Sequence, residues 1–203
     1  MSKSSPLDKS LLLVVALEEE ISEDMQKMHT LATGVGKINA TLILNEYLIN
    51  HPEVEVVLNL GTAGSIRHKV GEVLRCVKFI ERDMIAGDQL GLTPREDKIF
   101  IEDHPVKFCI ANENTHLCAT GDQFVYSKND VIRCKSADVF DMEGYALAKV
   151  CKRRDVDFIC YKVVSDILGE NNGNEWEAFL EKGRAILKAK YFEVLELHNK
   201  STK

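Results

Sequence analysis

Short apolar runs recur along the chain, and several of them are followed by a cluster of carboxylate or glycine residues. The length of these runs and their content of β-branched residues favour buried strands over helices. We therefore predict a strand in each of the runs at residues 11–17, 54–60, 74–80, 106–110, 116–120 and 158–164.

Three further segments have the periodicity of amphipathic helices. The first covers residues 38–49, and the second covers residues 142–152, where Lys149 interrupts the apolar stripe. In the last segment, Asn174 is a suitable N-cap residue for one long C-terminal helix. Its apolar stripe comprises Trp176, Phe179, Leu180, Leu187, Tyr191, Val194 and Leu195.

The alternation of strands with helices indicates an α/β fold with a largely parallel sheet. The chain has 203 residues, a length that suits one domain with a sizeable core. It contains no linker, internal repeat or low-complexity segment. We therefore expect a single domain over residues 11–203, preceded by a flexible polar tail at residues 1–10.

Composition and charge narrow the range of partners. The formal net charge is -6, which argues against a protein that binds the phosphate backbone of nucleic acids. The apolar run at residues 11–17 is too short to span a membrane, and no signal-peptide cleavage pattern follows it. The cysteines and histidines are scattered rather than set at metal-ligand spacing. We expect a cytoplasmic protein without a metal, a cofactor or a disulfide framework.

Carboxylates and glycines follow several predicted strands. Residues 18–20 are three glutamates, residues 61–65 read Gly-Thr-Ala-Gly-Ser, and Ser165 and Asp166 follow the last strand. Because ligands bind beyond the carboxyl ends of parallel strands, these groups form a candidate active site at one edge of the sheet. Each has an ordinary alternative, such as a solvated helix start at the glutamates or a tight turn at the glycines.

Six collinear segments together resemble the motifs of methylthioadenosine/S-adenosylhomocysteine nucleosidases and of the wider purine nucleoside phosphorylase superfamily. They lie at residues 15–20 (VALEEE), 33–37 (TGVGK), 59–65 (NLGTAGS), 120–125 (TGDQFV), 141–146 (DMEGYA) and 163–166 (VVSD). The resemblance implies a nucleoside phosphorylase-like fold: three layers, α/β/α, around a central, mostly parallel (mixed) sheet. It also implies a nucleosidase of methionine salvage that acts on an adenine-type purine nucleoside and forms a homo-oligomer, commonly a homodimer.

The same resemblance assigns two catalytic residues. Glu20 would activate the attacking water, and Asp166 would protonate the departing base, with Ser165 holding that segment. Cleavage of an N-glycosidic bond builds positive charge on the ribose and negative charge on the base. A buried acid can deliver a proton to the base if burial raises its pKa. The division of labour resembles that of inverting glycosidases.

The substrate-binding residues also follow from the resemblance. Glu143 would bind the ribose hydroxyl groups, and Met142 would pack against the sugar. Phe124 would stack on the base, and the backbone of Val125 would hydrogen-bond to it. The remaining residues expected to line the pocket are Thr62, Ala63 and Gly64.

The chain departs from the nucleosidase pattern in several places. The stretch between Glu20 and Thr33 is short, so much of a helix and of extra strands that relatives carry there is missing. Residues 79–84 differ, Lys162 stands where an arginine is more usual, and Gln123 replaces a small residue. The 5′ substituent therefore stays open among methylthioadenosine, S-adenosylhomocysteine, an unmodified nucleoside and a nucleotide.

Two alternative functions stay open at this point. A phosphorylase would need an anion site, commonly a Gly-Asp-Pro loop, but residues 16–18 occupy its place and the glutamates there would repel phosphate. A catalytically weak nucleoside-binding protein is the second alternative, and the short stretch after Glu20 favours it. Base release without phosphate would indicate a hydrolase, and binding without base release would indicate the binding protein.

Overall fold

The computed structural model describes residues 10–84, 98–100, 113–169 and 175–201. Eight strands form one sheet in this part of the chain. The strands are β1 Leu11–Val15, β2 Thr30–Ala32, β3 Val56–Ser65, β4 Val73–Glu81, β5 Lys98–Phe100, β6 Thr115–Thr120, β7 Val139–Asp141 and β8 Asp157–Ile167. The helices are α1 Glu23–Gln26, α2 Lys37–Asn50, α3 Gly144–Arg154 and α4 Glu175–Ser201, with 3-10 helices at Glu18–Glu20 and Lys128–Cys134.

Seven of the eight strands form two parallel groups that run in opposite directions, and the short β5 pairs antiparallel with β4 at the edge. β2, β1, β3 and β8 form one group, and β4, β6 and β7 form the other. The groups meet twice in antiparallel pairings, β4 with β8 and β7 with β3. The second pairing joins Gly64 to Phe140, close to the carboxyl ends of both strands. The carboxyl ends of the two groups therefore overlap, and the pairings of β3, β8, β4, β6 and β7 close a ring.

Helices cover both faces of the sheet. Leu12 and Val14 of β1 enter the core beneath α2 and α3. Leu11 and Leu13 enter the core beneath α4 and the short α1. Successive residues of a strand point to opposite faces, so β1 contributes to both cores. The predicted α/β fold of three layers with a mixed sheet is confirmed.

The strands that supply the site are longer than the apolar pattern predicts. Residues 61–65, expected as a turn after the strand, belong to β3, because they pair with β8 up to Ser65 opposite Ile167. Ser165 and Asp166 likewise lie within β8 rather than after it. Gly64 leaves room for the side chain of Leu168, which follows β8, since a Cβ atom on Gly64 would lie 2.7 Å from Cδ2 of Leu168.

Other expectations differ in extent or lie outside the described residues. The three helices are present, although the second begins at Gly144 rather than Met142. The predicted strands do not include β2, β5 and β7. Each of these has three residues, which are too few to form a recognisable sequence pattern. The predicted strand at residues 106–110, the N-cap Asn174 and residues 1–9 of the predicted tail lie outside the described part. No helix in the described ranges is long and apolar enough to cross a membrane.

Candidate active site

A cavity of about 280 Å³ lies where the carboxyl ends of the two strand groups overlap. Each of the six sequence motifs contributes at least one residue to its wall. All ten residues assigned to the site from the sequence line it: Glu20, Thr62, Ala63, Gly64, Phe124, Val125, Met142, Glu143, Ser165 and Asp166. The structure thus brings the predicted residues together, and their individual roles stay predictions.

Glu20 points into the cavity from the 3-10 helix that follows β1. It is buried, whereas Glu18 and Glu19 are exposed. The alternative interpretation of the three glutamates as a solvated helix start therefore applies only to Glu18 and Glu19. Its Oε1 accepts hydrogen bonds from the backbone N–H of Thr62 at 3.0 Å and from the Thr62 hydroxyl at 2.9 Å. Its Oε2 accepts one from the N–H of Leu17 at 3.3 Å. A carboxylate has about four lone-pair directions, so these bonds leave room for a water molecule.

Glu143 lies immediately before α3 and is buried beside the cavity. Its Oε1 accepts a hydrogen bond of 2.8 Å from the N–H of Gly36, at the start of α2. Burial and then the negative charge of Asp141 raise the pKa of Glu143 to about 7. The side chain therefore exchanges between its acid and its anion near neutral pH.

A fully buried ion pair lies next to Glu143. Nζ of Lys162 is 2.8 Å from Oδ2 of Asp141, and the two side chains are 2% and 1% exposed. Asp141 also accepts hydrogen bonds from the hydroxyl of Thr120 at 2.6 Å and from the N–H of Gly144 at 2.8 Å. Burial opposes the charge on both groups, but their attraction outweighs it, so the pKa of Asp141 falls and that of Lys162 rises. Lys162 is thus committed to Asp141.

Asp166 supplies a carboxyl group from β8. Burial raises its pKa, while a hydrogen bond from Ser165 opposes that rise. The Ser165 hydroxyl donates to Oδ1 of Asp166 over 2.6 Å and lies 3.3 Å from the carbonyl oxygen of Ala63. The result is an oriented carboxyl group that retains a proton to higher pH than an ordinary aspartate.

Residues 121–125, which we call the base loop, form another wall. Phe124 and Val125 both line the cavity, Phe124 being 40% exposed and Val125 buried. The Phe124 ring lies 4.9 Å from the ring of Tyr126. An exposed aromatic ring on a cavity wall is a suitable platform for a flat base.

Sequence reasoning did not assign several lining residues to the site. They are Ala16, Leu17, Val35, Arg82, Gln123, Phe140, Asp141 and Leu168. Most fall inside or beside the six motifs. Arg82 follows β4, and reading the residues after the predicted strand at 74–80 would have found it. Within the described residues, no cluster of His, Cys, Asp and Glu side chains could hold a metal ion.

The fold and the acidic cavity define the nucleoside phosphorylase-like class of α/β proteins. The chain belongs to the phosphorylase superfamily, whose family model matches residues 24–195. Over 174 residues it is 31% identical to the 5′-methylthioadenosine/S-adenosylhomocysteine nucleosidase of Bacillus thuringiensis subsp. konkukian. The match covers 75% of this chain and 73% of that protein. The resemblance read from the motifs is therefore confirmed.

Solved structures extend the similarity to nearly the whole chain. The 5′-methylthioadenosine/S-adenosylhomocysteine nucleosidase of Helicobacter pylori, with butyl-thio-DADMe-Immucillin-A, superposes with a TM-score of 0.74 at 23% identity over 91% of this chain and 96% of that one. The native futalosine hydrolase of Helicobacter pylori has a TM-score of 0.74 at 22% identity, over 93% and 97%. At these identities the likeness establishes the fold.

Proposed function

We propose that this protein is a purine nucleosidase that hydrolyses the N-glycosidic bond of an adenine-type nucleoside. The observation that carries the proposal is the convergence of Glu20, Glu143 and Asp166 in one cavity. The relatives named as 5′-methylthioadenosine/S-adenosylhomocysteine nucleosidases make those two nucleosides the first candidates. The products are the free base and the ribose moiety.

Three carboxyl groups divide the reaction between them in this proposal. Glu20 accepts a proton from water while the water oxygen bonds to C1′ of the ribose. The bond between C1′ and the base breaks, and Asp166 transfers its proton to a ring nitrogen of the base. Glu143, as an anion, stabilises the positive charge that develops on the sugar. A proton taken from water and a proton given to the base keep the reaction balanced.

The charges around the cavity favour water over phosphate as the nucleophile. Glu20 and Glu143 line it, and their anions, which the proposed mechanism requires, would repel phosphate. The one cation among the described lining residues is Arg82, whose Nη2 donates to the carbonyl oxygens of Gly121 and Gln123. Lys162, close by, is paired with Asp141.

A panel of nucleosides, assayed for free base with and without phosphate, tests the proposal. The panel contains methylthioadenosine, S-adenosylhomocysteine, adenosine, inosine, futalosine and adenosine monophosphate. We expect release of adenine without phosphate from one of the first three. Base release that requires phosphate would identify a phosphorylase. Binding measured by calorimetry, without base release during long incubation, would identify a nucleoside-binding protein.

We also propose that two copies of the chain associate through α2. Ile38, Leu42 and Ile49 are 70%, 61% and 55% exposed and lie on one side of this helix. An apolar patch of this kind marks an interaction surface. Val35, just before the helix, lines the cavity, so an interface at α2 would reach the rim of the site. The cytoplasmic location stays a prediction from composition.

A further inference from the structure

Lys37 stands at the centre of a group of charged residues beside the base loop. Its Nζ lies 2.6 Å from Oε1 of Glu81, 2.5 Å from Oδ1 of Asp83 and 3.7 Å from Oδ2 of Asp122. We call these four residues the Lys37 cluster. The Lys37 side chain is only 15% exposed, so water screens these contacts less than at an open surface.

Backbone hydrogen bonds also link the residues of the Lys37 cluster. The N–H of Lys37 donates to Oδ1 of Asp122 over 2.7 Å, and the N–H of Asp122 donates to Oδ2 of Asp83 over 2.7 Å. Asp122 belongs to the base loop, Asp83 follows β4, and Lys37 begins α2. Three separate parts of the chain are therefore held to one another at this point.

The start of α2 also holds the ribose side of the site. Gly36 donates its N–H to Glu143, and the next residue, Lys37, donates its N–H to Asp122. The N-terminus of a helix favours nearby carboxylates because its free N–H groups and its dipole attract negative charge. Gly36 has a φ of +94°, and a Cβ atom on it would lie 3.2 Å from Oδ1 of Asp122. Glycine therefore permits both contacts.

None of the four residues of the Lys37 cluster is among the described residues that line the cavity. The cluster is connected to the site only through the two segments that it holds. One segment is the base loop with Phe124. The other carries Gly36 and, through it, the carboxyl group of Glu143.

We propose that the Lys37 cluster is a positioning device that fixes the base loop relative to Glu143, so that the base and the ribose are bound in one geometry. The proposal rests on the nucleosidase function proposed above. It assigns a role to Glu81 and Asp83, which lie in the segment that departs from the nucleosidase pattern. It makes Lys37 a positioning residue rather than a catalytic one.

Replacement of Lys37 tests this role. Lys37→Met removes the ammonium group and keeps the length of the side chain, so we expect KM for the nucleoside to rise about tenfold while kcat changes less than about threefold. Lys37→Arg should restore most of the affinity. The matched control is Lys200→Met, because Lys200 also forms an ion pair, 2.7 Å from Glu196, but on the exposed last turn of α4. Its KM should equal that of the parent.

A double-mutant cycle distinguishes positioning from general loss of structure. If Lys37 acts through the base loop, Lys37→Met should raise KM much less in an Asp122→Asn background than in the parent. The proposal would be overturned if the rise in KM in the double variant equals the product of the rises in the two single variants. It would also be overturned by an unchanged KM in Lys37→Met. A fall in kcat without a rise in KM would overturn it as well.

Hydrogen exchange separates this proposal from the nucleosidase function. We expect the amides of Lys37 and Asp122 to be protected in the parent and to exchange faster in Lys37→Met. Unchanged exchange would contradict the proposed link. If exchange is faster in Lys37→Met but the parent protein cleaves no nucleoside, the nucleosidase function and the positioning role are both refuted, and only the structural link remains.

Discussion

The proton on Asp166 depends on two opposing influences. Burial raises the pKa of its carboxyl group, and the hydrogen bond from the hydroxyl of Ser165 lowers it. That hydrogen bond also fixes one carboxyl oxygen, Oδ1, and leaves Oδ2 as the oxygen that would carry the proton in the proposed mechanism. The pKa is raised overall, and this direction suits a proton donor, because general acids work best when their pKa lies near the working pH.

Asp166→Asn should remove the proton donor while nearly preserving the size of the side chain. We expect kcat to fall by about 10²–10⁴-fold, with little change in the melting temperature or the circular dichroism spectrum. Steady-state release of free base measures the rate. Parent-like kcat in this variant would exclude Asp166 from the mechanism.

Glu143 should set the acid side of the pH profile. Its pKa is about 7 in the free protein, and the proposed mechanism requires its anion. We therefore expect kcat/KM to fall as the pH drops below about 7, since kcat/KM reports ionisations of the free enzyme. A profile of kcat/KM from about pH 5 to about pH 9 tests this, and a constant value below neutrality would contradict it.

The same group should make the protein less stable as the pH rises. The pKa of Glu143 in the folded state lies above the ordinary value of 4.5, so folding favours its protonated form. Its contribution to stability is fully present below about pH 4.5 and is lost as the pH rises through about 7. We expect the difference in unfolding free energy between the parent and Glu143→Gln, measured in urea, to change in this range. A difference independent of pH would show that Glu143 ionises as an ordinary glutamate.

At the scale of the elements, the sequence pattern predicts the strands that carry the site but not their direction. The short apolar runs identify the apolar halves of β3 and β8. It does not show that Gly61 and Thr62 continue the strand, because glycine weakens a strand pattern and only the pairing with β8 makes them strand residues. The overlap of two oppositely directed groups depends on long-range pairings such as Gly64 with Phe140, for which a single sequence gives no signal.

In the candidate site, too, local sequence patterns predict some features, whereas others depend on contacts between distant parts of the chain. Residues inside local motifs, such as Glu143 and Asp166, can be assigned from a resemblance between short segments. Partners that come from distant elements cannot, because their proximity depends on the topology of the sheet. Lys162 is an example: the sequence marks it as unusual, but only the structure shows that it pairs with Asp141.

The pair of Lys162 and Asp141 joins β8 to β7 beneath the start of α3. Lys162→Met should leave a buried carboxylate without its cation and destabilise the protein by about 3–5 kcal/mol. Urea unfolding gives this value. The double variant Lys162→Met/Asp141→Asn should recover part of the loss, because it no longer buries an uncompensated charge. A loss below about 1 kcal/mol in the single variant would show that the pair contributes little to stability.

At the scale of the whole molecule, α2 has two surfaces with different uses. Its inner side, with Ala40, Leu44 and Leu48, packs in the core. Its outer side exposes Ile38 and Leu42. Because its first residues also hold the base loop and Glu143, any partner that covers the outer side would stabilise the geometry of the site. This connects the proposed dimer with the affinity for nucleoside.

Leu42→Lys should separate the dimer, because it places a charge in the middle of the apolar face of α2. We expect the parent to sediment as a dimer and Leu42→Lys to sediment as a monomer at the same concentration. Phe192→Lys is the matched control, since Phe192 is an exposed aromatic residue on α4, away from the proposed interface. It should sediment like the parent.

The kinetic consequence of separation follows from the position of Val35, which lines the cavity and precedes α2. If the interface supports this rim, KM for the nucleoside should rise in Leu42→Lys and should depend on protein concentration in the parent, because association then contributes to binding. A parent protein that sediments as a monomer at every concentration would overturn the proposed dimer. A separated Leu42→Lys variant with the KM of the parent would show that each copy forms its binding site alone.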